Sequence, residues 1–489
     1  MDDELRVLSG PRGPAGPATA ADLPLPAQAL AVMAAGEEAG QEGMLDELVH
    51  NGLGALVFFA SALADPAAAA RRTGSLQAAA LRSPVGAPLL LAADQEGGRV
   101  ARLPGGPATM PGAMALGATG DAELARLAGR ATSGQLRAVG LNWDLAPVCD
   151  LWTQDNPALG SRCFAADPAV VGAFAAAFVT GLQDGGVLAC AKHFPGHGDT
   201  AVDSHRGLPV LHADLAALRA RDWVPFEAGA RAGVATLMMG HLVVPALEDP
   251  LPASLSPAFY RVAREALAFD GLLVTDALGM AGCAQAAGSV GEAAVLALLA
   301  GADIIMIAHG PDEHRAAQRA VVDAVEAGRL PRQRLAEAAT AVLACKRRWN
   351  LARHGAPDDQ GAAHLLNRPS DVRLAADIAR RSITELRPGP AVPSPAVLGY
   401  GQLTPQVLVE AAAARWPGAR LRRDGVGPWL SLDAGSHLLI GPPIPESPPT
   451  GRVLLAYDCT PASLTALLTC AAGETPATGR LPGPARPLA

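Results

Sequence analysis

Short apolar runs recur along the first 350 residues, each closed by Gly, Pro or a polar cluster and followed by an Ala- and Leu-rich stretch of helical character. The runs fall at residues 29–33, 55–59, 88–93, 141–146, 187–191, 236–239, 272–275 and 304–307, the first being the most weakly marked. Helical segments between them include 122–139, 170–183 and 213–232. Strands that alternate with helices build a parallel sheet, and eight of them imply closure into a barrel. The competing arrangement is an open, doubly wound sheet. Polar clusters after almost every run favour the barrel, because barrel active sites gather at the C-terminal strand ends.

The texture changes near residue 350. Residues 362–387 read as a helix running into a short strand, and 388–395 are Pro-rich, as in a linker. Beyond them, strand-like 396–400, 437–440 and 453–457 accompany helical 405–416 and 461–472. The predicted fold class is therefore α/β: a (β/α)8 TIM-like barrel followed by a small α/β C-terminal module. The expected divisions are a flexible lead over 1–24, the barrel over 25–350, a helical connector and linker over 351–395, the module over 396–472 and a disordered tail over 473–489.

Composition narrows the function classes. Half of the 489 residues are hydrophobic but only 4% are aromatic, so the core is expected to be built from Ala, Leu and Val. The net charge is −8, and no basic stripe interleaves with aromatics, which argues against nucleic acid as a partner. Seven scattered cysteines form no C-x-x-C pair, a pattern of reduced thiols rather than disulfides or zinc. The acidic N-terminus has no apolar signal region, and no apolar run reaches about 18 residues. The expectation is a cytoplasmic protein, monomer or homodimer, that uses neither membrane nor nucleic acid. It lacks a G-x-G-x-x-G after a first strand and a Walker-type loop, so no nucleotide cofactor is expected.

The chemistry concentrates at the strand ends. Apolar 187–191 runs into Lys192-His193-Phe194-Pro195-Gly196-His197-Gly198-Asp199-Thr200, and Asp203-Ser204-His205 follows. Other ends carry Asp94-Gln95-Glu96-Gly97-Gly98-Arg99 with Arg102; Asn142, Asp144 and Asp150; Arg162; His241; and Thr275-Asp276. Carboxylates, arginines and a lysine converging on one face suit a small ligand rich in hydroxyls. Asp276 ends an apolar strand and precedes an apolar wall, which fits a nucleophile, or equally a helix N-cap. Asp203 beside His205 fits a general acid/base pair. The alternatives are a surface turn and a metal site drawing on His193, His197, Asp199, Asp203 and His205. Pro195-Gly196 prevents the helix that would align His193 with His197, and Lys192 would repel a cation.

Taken together, residues 94–100, 141–147, 156–164, 192–200, 203–205 and 275–280 resemble glycoside hydrolase family 3, and within it the β-N-acetylglucosaminidases of bacterial peptidoglycan recycling. The resemblance covers roughly residues 25–350, and Asp203-Ser204-His205 is its subgroup marker. It implies a retaining exo-β-N-acetylglucosaminidase acting on muropeptides, with no metal or organic cofactor. Asp276 is then the nucleophile. His205, paired with Asp203, is the acid and then the base, where most retaining enzymes use two carboxylates about 5 Å apart. Asp94, Arg102, Arg162, Lys192 and His193 match positions that hold the sugar hydroxyls and acetamido group. A phosphorylase using the same site and a non-catalytic sugar-binding protein are the competing functions. Three departures stand out: Cys163 stands where a small polar residue is more usual, the first strand is poorly marked, and the C-terminal module is short.

Overall fold

The computed structural model describes residues 20–40, 42–104, 106, 108–153, 156, 159–200, 207–247, 249–353, 357–387, 420–424, 427–431, 437–440, 453–458, 460–471 and 474–481. Eight parallel strands close into a barrel in sequence order. They are β1 (Met33–Glu37), β2 (Ala55–Phe58), β3 (Leu90–Ala93), β4 (Trp143–Asp144), β5 (Leu188–Phe194), β6 (Thr236–Met239), β7 (Leu272–Ala277) and β8 (Ile304–Ile307). The predicted barrel is thus present, and the open sheet is excluded by the β1–β8 pairing.

Alternate residues of each strand serve two cores. Ala34, Val57, Ala92, Cys190, Met238, Val274 and Met306 belong to a cluster inside the barrel, together with Trp143. Their neighbours Ala35, Leu56, Leu91, Ala189, Leu237, Leu273 and Ile305 face the surrounding helices. With both faces buried, a parallel strand reads as an unbroken apolar run. The Trp143 indole, fully buried, donates its N–H to Thr236 Oγ1 at 3.0 Å. At the N-terminal end of the barrel the same inner cluster is closed by Val342, on the helix Arg332–Arg348, and by Leu351.

Helix starts are written in the sequence. Asp65 and Asp167 each precede Pro, and each carboxylate accepts N–H bonds from the first turn of the helix that follows, at 2.9–3.2 Å. Pro brings a preset φ to the first helical position, while the Asp satisfies donors that have no partner within the helix.

The first strand corrects the expectation. Residues 29–33 fall largely in a helix, Leu25–Ala31, and β1 begins at Met33. Pro26 favours the helical start. β1 itself reads Met-Ala-Ala-Gly-Glu, with no β-branched residue and a carboxylate that only its partner makes buriable: Glu37 is 2% exposed and bonds Arg72 Nε at 2.6 Å. The helix expected over 213–232 is two, Leu215–Ala220 and Val224–Arg231, the second with Pro225 in its first turn. β5 runs to Phe194 and β7 to Ala277, so Lys192, His193 and Asp276 stand on strands rather than loops.

Five further strands, β9 (Thr384–Arg387), β10 (Arg420–Asp424), β11 (Gly427–Ser431), β12 (His437–Ile440) and β13 (Val453–Ala456), form a second sheet in the order β10-β11-β12-β13-β9. Only β12–β13 is parallel. The charged β10 and its partner β11 were not expected as strands. The strand expected at 396–400 and the helix at 405–416 lie outside the described residues. Residues 474–481, expected within a disordered tail, dock through Gly479 N–H to Ile383 O and Arg480 N–H to Ala118 O, each at 2.8 Å. Residues 20–24, expected in the flexible lead, include buried Ala20 and Leu23, and the Gln28 amide ties both carbonyls at 2.9 Å. Among the described residues no single helix is long and apolar enough to cross a membrane.

Candidate active site

A cavity of about 800 Å³ opens at the C-terminal ends of the strands. Asp94, Arg102, Arg162, Lys192, His193 and Asp276 all line it, as do Arg99 and His197. Asp203 and His205 lie outside the described residues.

One wall is a charge network. The Lys192 ammonium, on β5, sits between Asp94 Oδ1 and Glu96 Oε1, each at 2.7 Å. Arg162, in the helical turn Gly160–Arg162, grips both Glu96 oxygens at 2.8 and 2.7 Å. Burial opposes the Lys192 charge, but Asp94 and Glu96 outweigh it and hold its pKa above the usual lysine range. Burial likewise opposes ionised Glu96, but Arg162 and Lys192 outweigh it and hold that carboxyl far below its usual range. Glu96 was not among the expected site residues, although it lies two positions after Asp94.

The loop after β3 is folded back to build this wall. Gly97 and Gly98 take φ of +85° and +57°, and a Cβ on Gly98 would lie 2.8 Å from Gly112 Cα. The pair therefore serves close backbone packing, as glycines do where φ is positive. Asp144, fully buried at the end of β4, accepts the Gln95 N–H at 3.0 Å, and burial pushes its carboxyl well above the usual range. Gln95 Oε1 in turn accepts the Arg102 N–H at 2.8 Å. The second sheet reaches the same loop: Asp458, just past β13, accepts the Gly112 N–H at 2.7 Å.

The two histidines are oriented separately. Asp150 Oδ2 bonds His193 Nδ1 at 2.7 Å, and its Oδ1 accepts the His197 N–H at 2.7 Å. Burial opposes ionisation of Asp150, but His193 and then His197 outweigh it and hold the carboxyl below its usual range. An ionised Asp150 only accepts, so His193 Nδ1 carries a proton. His197 Nδ1 bonds Thr200 Oγ1 at 2.7 Å, and burial lowers its pKa. Asp199 pairs instead with Arg221 at 2.8 Å. The described members of the suggested metal set, His193, His197 and Asp199, are thus turned to other partners, and among the described residues no three such groups converge.

Asp276 stands on β7. Its Oδ1 accepts the Ala277 N–H at 2.7 Å. Burial opposes its ionisation, but His241 and then His193 outweigh that and hold the carboxyl below its usual range. The helix after β7 begins only at Ala281, and Met280 is its N-cap, so the N-cap reading of Asp276 is excluded. Sequence reasoning noted His241 without a role. It is fully buried, with Nε2 at 2.8 Å from Ala277 O and Nδ1 at 2.7 Å from Ser254 Oγ. An anionic carboxylate on one wall of a cavity that also presents Arg, Lys and His donors, the carboxylates Asp94 and Glu313 and many apolar side chains suits attack on an electrophilic carbon of a polyhydroxylated ligand.

The chain is similar in sequence and fold to known glycosidases. The sequence profile described as "Glycosyl hydrolase family 3 N terminal domain" matches residues 27–345. A β-hexosaminidase of Thiobacillus denitrificans is 37% identical over 267 residues, covering 53% of this chain and 72% of that protein. A β-hexosaminidase of Stenotrophomonas maltophilia is 37% identical over 271 residues, 54% of this chain and 78% of that protein. The structure of a family 3 β-N-acetylglucosaminidase from Paenibacillus sp. superposes with a TM-score of 0.82 at 30% identity, covering 94% of this chain and 99% of that one.

Proposed function

The chain belongs to glycosyl hydrolase family 3 and is a β-N-acetylhexosaminidase of it, and from that premise we propose a retaining exo-hydrolase that releases terminal β-GlcNAc from muropeptides. The observation that carries the mechanism is Asp276, ionised on β7 in the same cavity as the Asp94–Lys192–Glu96–Arg162 network. In this reading Asp94, Lys192, Arg102, Arg162 and His193 bind the hydroxyls and acetamido group of the terminal sugar. Asp276 attacks the anomeric carbon and the glycosidic C–O bond breaks. His205, held by Asp203, donates a proton to the departing oxygen. The same imidazole then takes a proton from water as the water oxygen bonds the anomeric carbon and the bond from that carbon to Asp276 breaks, which returns the sugar with its original configuration.

Desolvation raises the carboxylate's reactivity, while His241 and His193 keep it ionised at neutral pH. A peptidoglycan fragment bearing GlcNAc on an anhydro-muramyl unit is the substrate proposed, and the cytoplasm its place of turnover.

Proton NMR of early turnover should show β-GlcNAc as the first-formed anomer. A slow 5-fluoro-GlcNAc substrate should leave a sugar adduct on the peptide containing Asp276. First formation of the α-anomer would sink the retaining mechanism. His205→Ala should slow a GlcNAc disaccharide roughly 10²- to 10⁴-fold while slowing an activated aryl glycoside far less, because only a poor leaving group needs the proton. Equal losses would remove His205 from the acid role.

A further inference from the structure

The strand ends divide the cavity into two arcs of different chemistry. The charge network comes from the ends of β3, β4 and β5, and Asp276 on β7 marks the anomeric carbon. Across the barrel, the lining after β8 holds no such network. It offers Ala308, His309, Gly310 and Glu313, beside Gly279 and Met280 from β7. His309 stacks on Phe59, which follows β2, with ring centroids 4.7 Å apart and planes 24° apart.

Three features make this stack a built surface. Gly36 on β1 lies between the two strands, and a Cβ there would strike the Ala308 backbone and come within 2.9 Å of Phe59 Cε2. Glu38 holds His309 Nδ1 at 3.2 Å. The Arg102 guanidinium lies 6.0 Å from the centroid of the Phe59 ring, so the stack adjoins the sugar-binding arc. The His309 side chain is nonetheless 64% exposed, at the mouth of the cavity.

We propose that the Phe59–His309 stack is the leaving-group subsite, where the imidazole face packs against the apolar face of a second pyranose ring. The inference rests on the glycosidase reading above and adds to it the residues that hold the leaving-group sugar. A terminal sugar that puts its hydroxyls on the β3–β5 arc and its anomeric carbon at Asp276 projects whatever is attached to that carbon past β7, toward β8. Aromatic faces suit that next ring because they supply area at little entropic cost. The cavity of about 800 Å³ lies in the upper part of the range for small-molecule sites, which accommodates more than one ring.

The test compares N,N′-diacetylchitobiose, whose leaving group is a sugar, with GlcNAc β-fluoride, whose leaving group is one atom. His309→Ala and Phe59→Ala should each lower kcat/KM for the disaccharide roughly five- to tenfold more than for the fluoride, mostly through KM. The exposed position of His309 keeps that variant folded if Phe59→Ala proves unstable. Equal losses on both substrates would put the stack against the cleaved sugar and overturn the proposal, and so would no loss on either. The fluoride engages only Asp276 and the charged arc, so its inertness with wild-type enzyme would speak against the function proposed above instead. Calorimetric binding of the disaccharide to wild type and His309→Ala then still decides the subsite: a five- to tenfold weaker Kd supports it, and equal Kd values overturn it.

Discussion

Two lysines are buried in this barrel at opposite ends, Lys192 at 1% exposure and Lys346 at 2%. Lys192 stands at the C-terminal strand ends between two carboxylates. Lys346, on the helix Arg332–Arg348, reaches the Gly54 carbonyl at 2.8 Å beside β2's first residue, and among the described residues it has no carboxylate partner. Burial works against the charge of both. It loses to Asp94 and Glu96 at one end, while at the other it pushes the amine down to about 7. Desolvation alone therefore does not set a lysine's charge; the oxygens that replace water do. The C-terminal end keeps a fixed cation in the cavity wall, and the N-terminal end is a plug.

The comparison breaks most visibly at the catalytic end. If Asp276 is the nucleophile as proposed, Asp276→Ala should lower kcat on an aryl β-GlcNAc by about 10⁴-fold or more, since its loss would forfeit the covalent route. Its melting temperature should shift little. Activity near wild type would remove Asp276 from the mechanism. Lys192→Met comes next. It removes the cation that Asp94 and Glu96 share and leaves them to Arg102 and Arg162, so unfolding free energy should fall by about 1–3 kcal/mol. kcat/KM should fall roughly 10²-fold with the lost positioning. Denaturant midpoints and aryl glycoside kinetics measure both. A stable, active Lys192→Met enzyme would mean that the network is dispensable.

The sequence made most of this end legible and little of its support. Strands β6 and β8 coincide with their apolar runs, because residues buried on both faces leave an unbroken signal. β1 did not stand out, since Ala35 and Gly36 are small and Glu37 is buried only by virtue of Arg72. Asp94, Arg102, Arg162, Lys192, His193 and Asp276 stand after apolar runs with several other polar residues, the family resemblance singled them out, and they line one cavity. Glu96 and Asp150 were passed over as partners, because a sequence shows that carboxylates are present but not which cation each will meet. His241 acts on Asp276 across two adjacent strands, a proximity that only the β6–β7 register reveals. The Phe59–His309 stack spans the closure of the barrel, with about 250 residues between its members in the chain, and no local pattern announces it.

The same substitution at the other end should have the opposite sign. Lys346→Met removes an amine that is buried without a counter-ion and replaces it with an apolar chain of similar length among Val342, Leu351 and Trp349. The Gly54 carbonyl loses one bond, worth about 1 kcal/mol. In the unfolded chain the wild-type amine binds its proton up to about pH 10.4, and in the folded chain only up to about 7. Between those values the unfolded state holds more protons, so wild-type stability gains with rising pH, and below pH 7 the full penalty stands. Lys346→Met should therefore be more stable than wild type by roughly 3–4 kcal/mol at pH 6, the desolvation penalty less the lost hydrogen bond. That gap should close steadily toward pH 10, with activity unchanged. Urea unfolding of both proteins across that range measures it. A gap of constant size would show that Lys346 stays protonated when folded, and that burial at the plug does not oppose its charge as it does here.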